Sequence, residues 1–341
     1  MKKRSLKYSF LFIFAIIIAA FIVQMADACT EFKLSNNGQS VIAHNMDWGN
    51  PYAFIVINPA GIKRHSVLID NHFKPLEWES KYGSATVNLA TQNQQVILPA
   101  VVSGMNQFGL SASILWLKNS DYPSTSTQSA LGTSQWVQYF LDNAKTIAEA
   151  IQLAHQFEVE PTVFHGQKIS VHLMMHDASG DSAVMEYLNG QLHVYHQKSL
   201  PIPVLTNTPY LESLQLLKQY QGFGGEAPLP GGYFTKARFV LAVNFLKTLP
   251  TTHSTQQTVA NAFNGLGYLI EIPGSSDPTV WSVVYDLSNR VLYYRTIDNP
   301  QIRFIHLDHF NLSPGHSIKI LPMTNDFSGN VENYFSAQKK Q

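Results

Sequence analysis

The chain has 341 residues, of which 45% are hydrophobic and 13% charged, with 23 basic against 23 acidic side chains and no net charge when histidine is neutral. That length suits one large domain or two modest ones. The even charge balance excludes the basic footprint of a nucleic-acid-binding protein, and no like-charge run reads as a tail.

The first element is a targeting segment. Met1–Ser9 carry Lys2, Lys3, Arg4 and Lys7, Phe10–Met25 is apolar, and Ala26-Asp27-Ala28 is an A-x-A cleavage signature. This predicts a signal peptide over residues 1–28 and a secreted or periplasmic mature chain, 29–341. Removal leaves 19 basic against 22 acidic residues. No apolar run of spanning length follows Met25, so no stable membrane insertion is expected once the signal is gone.

Cleavage after Ala28 makes Cys29, the only cysteine, the first residue. Its thiol then lies beside a free α-amine, whose ordinary pKa of about 7.7–8.0 lets it act as a base near neutrality. Two other readings stand beside this one. Cys29 could be a lipidated anchor, although Ala26 and Asp27 fit a lipoprotein signal poorly, or a cysteine that merely lies near a cleavage site. One thiol makes no internal disulfide, and an exported protein with a single cysteine favours a reactive role. Without a cysteine cluster or an HExxH run, no metal and no cofactor are expected.

Thr30–Leu34, Asn36-Asn37-Gly38 and Val41–Ala43 read as a hairpin with an Asn-Gly turn. Such a turn sets Cys29 against Asn45–Asp47, give or take two residues, which makes His44 and Asp47 candidates for contact with it. Ala85–Leu89, Val96–Ser103 and Leu110–Leu117 read as strands, and Asp121–Thr133 as a Ser/Thr-rich loop. Gln135–Phe157 has helical spacing with Ser134 as N-cap. Val171–His176, Ser182–Leu188 and Gln191–His196 form a meander in which His172 and His176 read as structural. Helices are expected at Tyr210–Tyr220, Thr235–Lys247 and Ser254–Phe263, then a hairpin of Val280–Asp286 with Val291–Ile297, and a strand at Arg303–Leu307. No linker or internal repeat divides the chain, and the order implies antiparallel sheets packed against helices, an α+β layered domain.

Eight segments, in order, then carry a resemblance: Cys29-Thr30-Glu31-Phe32, Asn45-Met46-Asp47-Trp48, Trp78–Ser84, Gly104–Leu110, Leu115-Trp116-Leu117, Gly180–Ala183, Leu205–Pro209 and Lys236-Ala237-Arg238-Phe239. From Cys29 to about Leu312 the chain resembles the choloylglycine hydrolase and penicillin V acylase family of N-terminal-nucleophile hydrolases, and is most similar to its Gram-negative branch. The resemblance implies a four-layer αββα sandwich and hydrolysis of a linear amide through a Cys29 acyl-thioester. It implies Asp47 beside the amine, Asn207 and Trp116 in the oxyanion region, Arg238 supporting the charged network, and a homotetramer. Taken singly, these residues read as a strand-end cap, a turn residue, a core aromatic and a helix salt-bridge partner. The family's substrates are penicillin V, N-acyl homoserine lactones and conjugated bile salts, and the branch favours the first two.

One position departs. The family usually has arginine two residues before the methionine of its Asn/Ser-Met-Asp run, and here that residue is His44. Guanidinium is charged at every working pH, whereas imidazole, with an ordinary pKa of about 6.5, is not. Asp47 nearby is expected to restore part of the charge. His44 motivates one rival reading, an inactive member that binds acylated ligands; a second rival is a lipid-anchored binding protein in which Cys29 is an anchor only.

Overall fold

A computed structural model describes residues 29–338 apart from 37, 70–71, 92, 125–126, 165–166, 253 and 325, so the expected signal peptide lies outside the described residues. The chain opens as the expected hairpin: β1 (Thr30–Asn36) and β2 (Gln39–Asp47) pair from Thr30 opposite Asn45 to Asn36 opposite Gln39. Gly38 takes φ +82° at the turn, a conformation that a side chain would resist.

The main strands that follow are β3 (Ala53–Asn58), β4 (Ser84–Ala90), β5 (Val96–Asn106), β6 (Ser111–Trp116), β7 (Val171–His176), β8 (Ser182–Leu188), β9 (Gln191–His196), β10 (Val204–Thr206), β11 (Thr279–Asp286), β12 (Val291–Thr296), β13 (Arg303–His306), β14 (Lys319–Pro322), β15 (Gly329–Asn330) and β16 (Ser336–Ala337). They build a seven-stranded sheet, β10-β1-β2-β11-β12-β13-β15, and a nine-stranded sheet, β9-β8-β7-β6-β5-β4-β3-β14-β16. Neighbours are antiparallel except at the short β13–β15 edge.

The helices are α1 (Trp136–Asn143), α2 (Ile147–Ala154), α3 (Tyr210–Leu217), α4 (Thr235–Thr248) and α5 (Thr255–Tyr268). Helices α4 and α5 pack on the seven-stranded sheet and α1 on the nine-stranded one. The sheets face each other, bridged by Ser103 and Tyr285 hydroxyls 2.8 Å apart and by His176 to Glu31 at 3.2 Å. This is the four-layer αββα arrangement.

Both faces of β1 and β2 are therefore covered, and side-chain alternation sorts them. Phe32 faces the helices, edge-on to Phe245 of α4 at 6.1 Å between ring centres. A Cβ on Gly265 of α5 would fall 2.7 Å from the Phe32 ring, so that glycine lets the helix lie close. Glu31, one residue away, faces the other sheet.

The single helix expected over Gln135–Phe157 is two. Ser134 does not cap it; Thr133–Gln135 is a 3₁₀ turn leading into α1. The break follows from competing hydrogen bonds. Asn106 Nδ2 donates to the carbonyls of Leu141 and Ala144 at 3.0 and 2.7 Å, Thr146 Oγ1 accepts from Glu149 N–H, and Asp177 accepts from Ile147 N–H at 2.9 Å. The expected Asp121–Thr133 loop contains a strand, Ser129–Gly132, beside Glu158–Glu160. Strands β3, β10 and β14 had no counterpart in the sequence reading.

Candidate active site

Four strand ends meet at Cys29. Thr30 lies between Thr206 of β10 and Asn45 of β2, and Asp47 faces Thr279 of β11. One residue further along each register, Asn207 and Met46 flank Cys29. The hairpin turn sets the β1–β2 part of this neighbourhood, and long-range pairing adds β10 and β11.

Cys29 is 4% exposed. Its Sγ lies 3.8 Å from Met46 Sδ and 3.9 Å from the Asp47 carbonyl oxygen, to which the S–H donates. Burial first, then the charge of Asp47, pushes the thiol up to about 12; the backbone of Asp47 and Trp116 and the Arg238 charge offset this only in part. At neutral pH such a thiol is protonated, so attack needs a base at hand.

The Asp47 carboxylate points the other way, into the helix layer. Thr279 Oγ1 donates to its Oδ1 and Arg238 Nη1 to its Oδ2, each at 2.5 Å. Burial raises the Asp47 pKa, opposed by Arg238 and Thr279. Arg238 comes from the first turns of α4, and the same helix start fixes Asn207, whose N–H donates to Thr235 Oγ1 at 2.7 Å.

Several buried polar atoms here have no protein partner: both amide atoms of Asn207, Nε and Nη2 of Arg238, Trp116 Nε1, Thr30 Oγ1 and Thr206 Oγ1. Such groups are rare in folded interiors, and several of them on residues neighbouring Cys29 mark a place built to receive a polar ligand. Cys29 also opens on a cavity of about 230 Å³ lined by aliphatic and aromatic side chains, among them Trp48, Ile114, Trp116 and Val171. The Trp48 and Trp116 rings lie 5.8 Å apart, tilted by 47°.

The chain matches the family described as linear amide C–N hydrolases, choloylglycine hydrolase family, over residues 29–331. It belongs to the choloylglycine hydrolase family. It is 29% identical over 344 residues to a penicillin V acylase of Pectobacterium atrosepticum, covering 91% of this chain and 88% of that protein. A solved penicillin V acylase of Agrobacterium tumefaciens superposes with a TM-score of 0.78 at 27% identity, covering 91% of this chain and 98% of that one. A conjugated bile acid hydrolase variant from Clostridium perfringens shares the fold, with a TM-score of 0.72 at 20% identity over 89% of this chain and 99% of that one. This hydrolase therefore has the N-terminal-nucleophile fold implied by its motifs, with antiparallel sheets between helices.

The structure brings Cys29, Asp47, Asn207, Trp116 and Arg238 into one neighbourhood and gives His44 a different contact. His44 does not hydrogen-bond the thiol. Its Nδ1 donates to Glu31 Oε2 at 3.0 Å, while Glu31 Oε1 accepts from His176 Nε2 at 3.2 Å and His176 Nδ1 accepts from the Ser182 hydroxyl at 2.8 Å. The two-residue strand period explains the difference: the register sets Met46 against Cys29 and His44 against Glu31. The partner of His44 is thus Glu31, where Asp47 was expected. Burial pushes Glu31 up, but hydrogen bonds and charge from His176 and His44 outweigh it and bring it down to about 2.

Sequence reasoning also missed Thr279, Glu271 and Trp48. Trp48 stood in a matched segment, whereas nothing in the local pattern marked Thr279 or Glu271. Among the described residues, one group brings possible metal donors within 4.8 Å of one another: His306, His309 and Glu332. Both imidazoles already share the Glu332 carboxylate, at 3.0 and 2.9 Å, on the far side of the seven-stranded sheet from β1. That arrangement is accounted for as a surface ion-pair cluster.

Proposed function

We propose that this hydrolase, exported and cleaved after Ala28, removes an apolar acyl group from a linear amide of the penicillin V or N-acyl homoserine lactone kind. The observation that carries the reading is Cys29 in the lining of an apolar cavity, with unpaired polar atoms on Trp116 in the same lining and on Asn207 beside it. In the mechanism, the free Cys29 amine takes the thiol proton, and the thiolate sulfur attacks the amide carbonyl carbon. Asn207 and the Trp116 indole N–H face the developing oxyanion. The carbon–nitrogen bond then breaks as the ammonium passes its proton to the leaving amine, leaving an acyl-thioester. Water, deprotonated by the same amine, attacks that thioester and releases the carboxylic acid and the thiol. Asp47, held by Arg238 and Thr279, orients the amine.

The lining favours a compact, neutral acyl group. Among the described residues that line the cavity, Asp47 is the only charged one, and the side-chain hydroxyls come from Ser134 and Thr162. A phenoxyacetyl group or an alkyl chain suits those walls better than a polyhydroxylated steroid, which makes conjugated bile salts the second choice.

Intact mass of the exported protein is the first test. A chain starting at an unmodified Cys29 supports the reading, and a lipidated one replaces it with an anchor. The mature protein is then offered penicillin V, an N-acyl homoserine lactone and glycocholate. The expected kcat/KM is highest for one of the first two and lost in Cys29→Ala. Preference for glycocholate overturns the substrate class. An acyl adduct on Cys29 that forms without turnover favours the acyl-binding alternative raised by His44.

A further inference from the structure

Glu271 is a carboxylate that the mechanism above does not use. It follows α5, is 0% exposed, and neither of its oxygens has a protein donor in hydrogen-bonding geometry. A buried carboxylate left so poorly satisfied is costly unless nearby charge compensates for it. Its backbone is fixed by one residue. Glu271 N–H donates to Thr279 Oγ1 at 2.8 Å, and its carbonyl accepts from Thr279 N–H at 3.2 Å. The same Thr279 hydroxyl donates to Asp47. The residue that orients Asp47 therefore also fixes Glu271 beside it.

The charged groups facing Glu271 are Arg238 from α4, Asp47 from β2 and Asp277 from the segment before β11, with the Ser275 hydroxyl lending weak polar support. Burial is the largest influence and pushes Glu271 up to about 7; Arg238 opposes the rise and Asp47 adds to it. Arg238 bonds Asp47 through Nη1 and keeps Nε and Nη2 unpaired. One guanidinium thus serves two buried carboxylates. With its carboxylates ionised, this group is net negative around one guanidinium, which favours an α-ammonium on Cys29.

We propose that Glu271 is a positioning residue for the N-terminal base, acting through Arg238 and Asp47 to hold and release the proton on the Cys29 amine. The inference rests on the reading that Cys29 becomes a free N-terminus. An ionised Glu271 favours the ammonium, and a protonated Glu271 lets the amine lose its proton more easily. The two groups titrate as a coupled pair, which spreads the amine's titration over a wider pH range.

The test is the rate at which iodoacetamide alkylates Cys29 in the mature protein, followed from pH 5 to 10 in wild type, Glu271→Gln and Glu271→Asp. Removing a nearby negative charge makes both amine and thiol easier to deprotonate. The expected wild-type profile is broader than a one-proton curve. Glu271→Gln narrows it and moves its midpoint down by about half a pH unit, a modest shift for a charge acting at a distance. Glu271→Asp keeps the breadth, which a merely structural role would not require. Superimposable wild-type and Glu271→Gln profiles overturn the proposal. Should Glu271→Gln fail to fold, Glu271→Ala removes the same charge and is judged in the same way. Alkylation needs no substrate, so a protein that cleaves none of the tested amides still reports on Glu271. A blocked Cys29, seen by mass, defeats both this inference and the functional reading.

Discussion

Two buried charge clusters lie back to back across the β1–β2 hairpin, and they are satisfied to different degrees. Between the sheets, Glu31 uses both oxygens and His176 both nitrogens, and within this cluster only His44 Nε2 is left without a partner. On the helix side, Asp47 is fully bonded, but Arg238 keeps two unpaired nitrogens, Glu271 two unpaired oxygens and neighbouring Asn207 both amide atoms. A complete network rigidifies a core, whereas a partly satisfied one costs stability and persists where a ligand or reaction completes it. Strand alternation supplies both from adjacent positions, so the difference lies in their partners. The inter-sheet cluster is closed on itself. The helix-side cluster is open toward Cys29.

The largest break in this comparison is Arg238→Leu. It removes the cation bonded to Asp47 and leaves two buried carboxylates unbalanced. Breaking a buried pair in this way typically costs about 3–5 kcal/mol. Urea denaturation at pH 7 should show a loss of that size together with loss of amidase activity. Asp47 and Glu271 are both pushed up by burial even with Arg238 present, so they protonate more readily still without it, and the deficit should shrink as pH falls toward 5. A loss below about 1 kcal/mol, typical of an exposed pair, would mean that the cluster is not the buried network described.

Glu31→Gln should give a smaller effect of a different kind. It leaves buried imidazole N–H groups with a weaker acceptor, at a cost of about 1–3 kcal/mol. Glu31 is brought down to about 2 from an ordinary 4.5. Its ionised form therefore contributes stability that is complete above the ordinary value and lost as pH falls through about 2. Thermal melts between pH 5 and 2 should fall more steeply for wild type than for Glu31→Gln. Activity per folded molecule should change less than in Arg238→Leu. An equal loss of activity would place the inter-sheet cluster in the chemistry after all.

Much of the site was legible because it depends on local order. The Asn-Gly turn sets the β1–β2 register, and the register brings Cys29 to the Asp47 end of β2. Meander strands β7–β9 and the hairpin β11–β12 showed alternation bounded by turn residues, and appear almost as read. What escaped depends on distant partners. Strand β10 has three residues, too few for any period, and is a strand because β1 lies beside it. The break between α1 and α2 is made by Asn106 and Asp177, which no pattern over Gln135–Phe157 contains. Glu271 and Thr279 enter the site because β11 pairs with β2 across more than two hundred residues. His44 was rightly marked as a departure, but its partner depended on which face of β2 it shares with Glu31.

The finest discrimination between the two clusters is His44→Arg. His44 is 0% exposed, with Nδ1 on Glu31 and Nε2 unpartnered. An arginine can keep the Glu31 contact and still extend further donors along the strand toward Met46 and Cys29, with a charge that does not titrate. If that charge reaches the thiol, it opposes the burial that holds Cys29 at about 12 and moves the alkylation profile toward lower pH, by up to about one unit for a cation near a buried acid. Hydrolysis below pH 7 should then rise a few-fold. A thermal melt taken alongside separates this from overpacking, which would lower stability without moving the profile. If rate and profile both stay unchanged, His44 has no electrostatic part in catalysis and belongs wholly to the closed cluster, and the charge that assists Cys29 comes from the helix side alone.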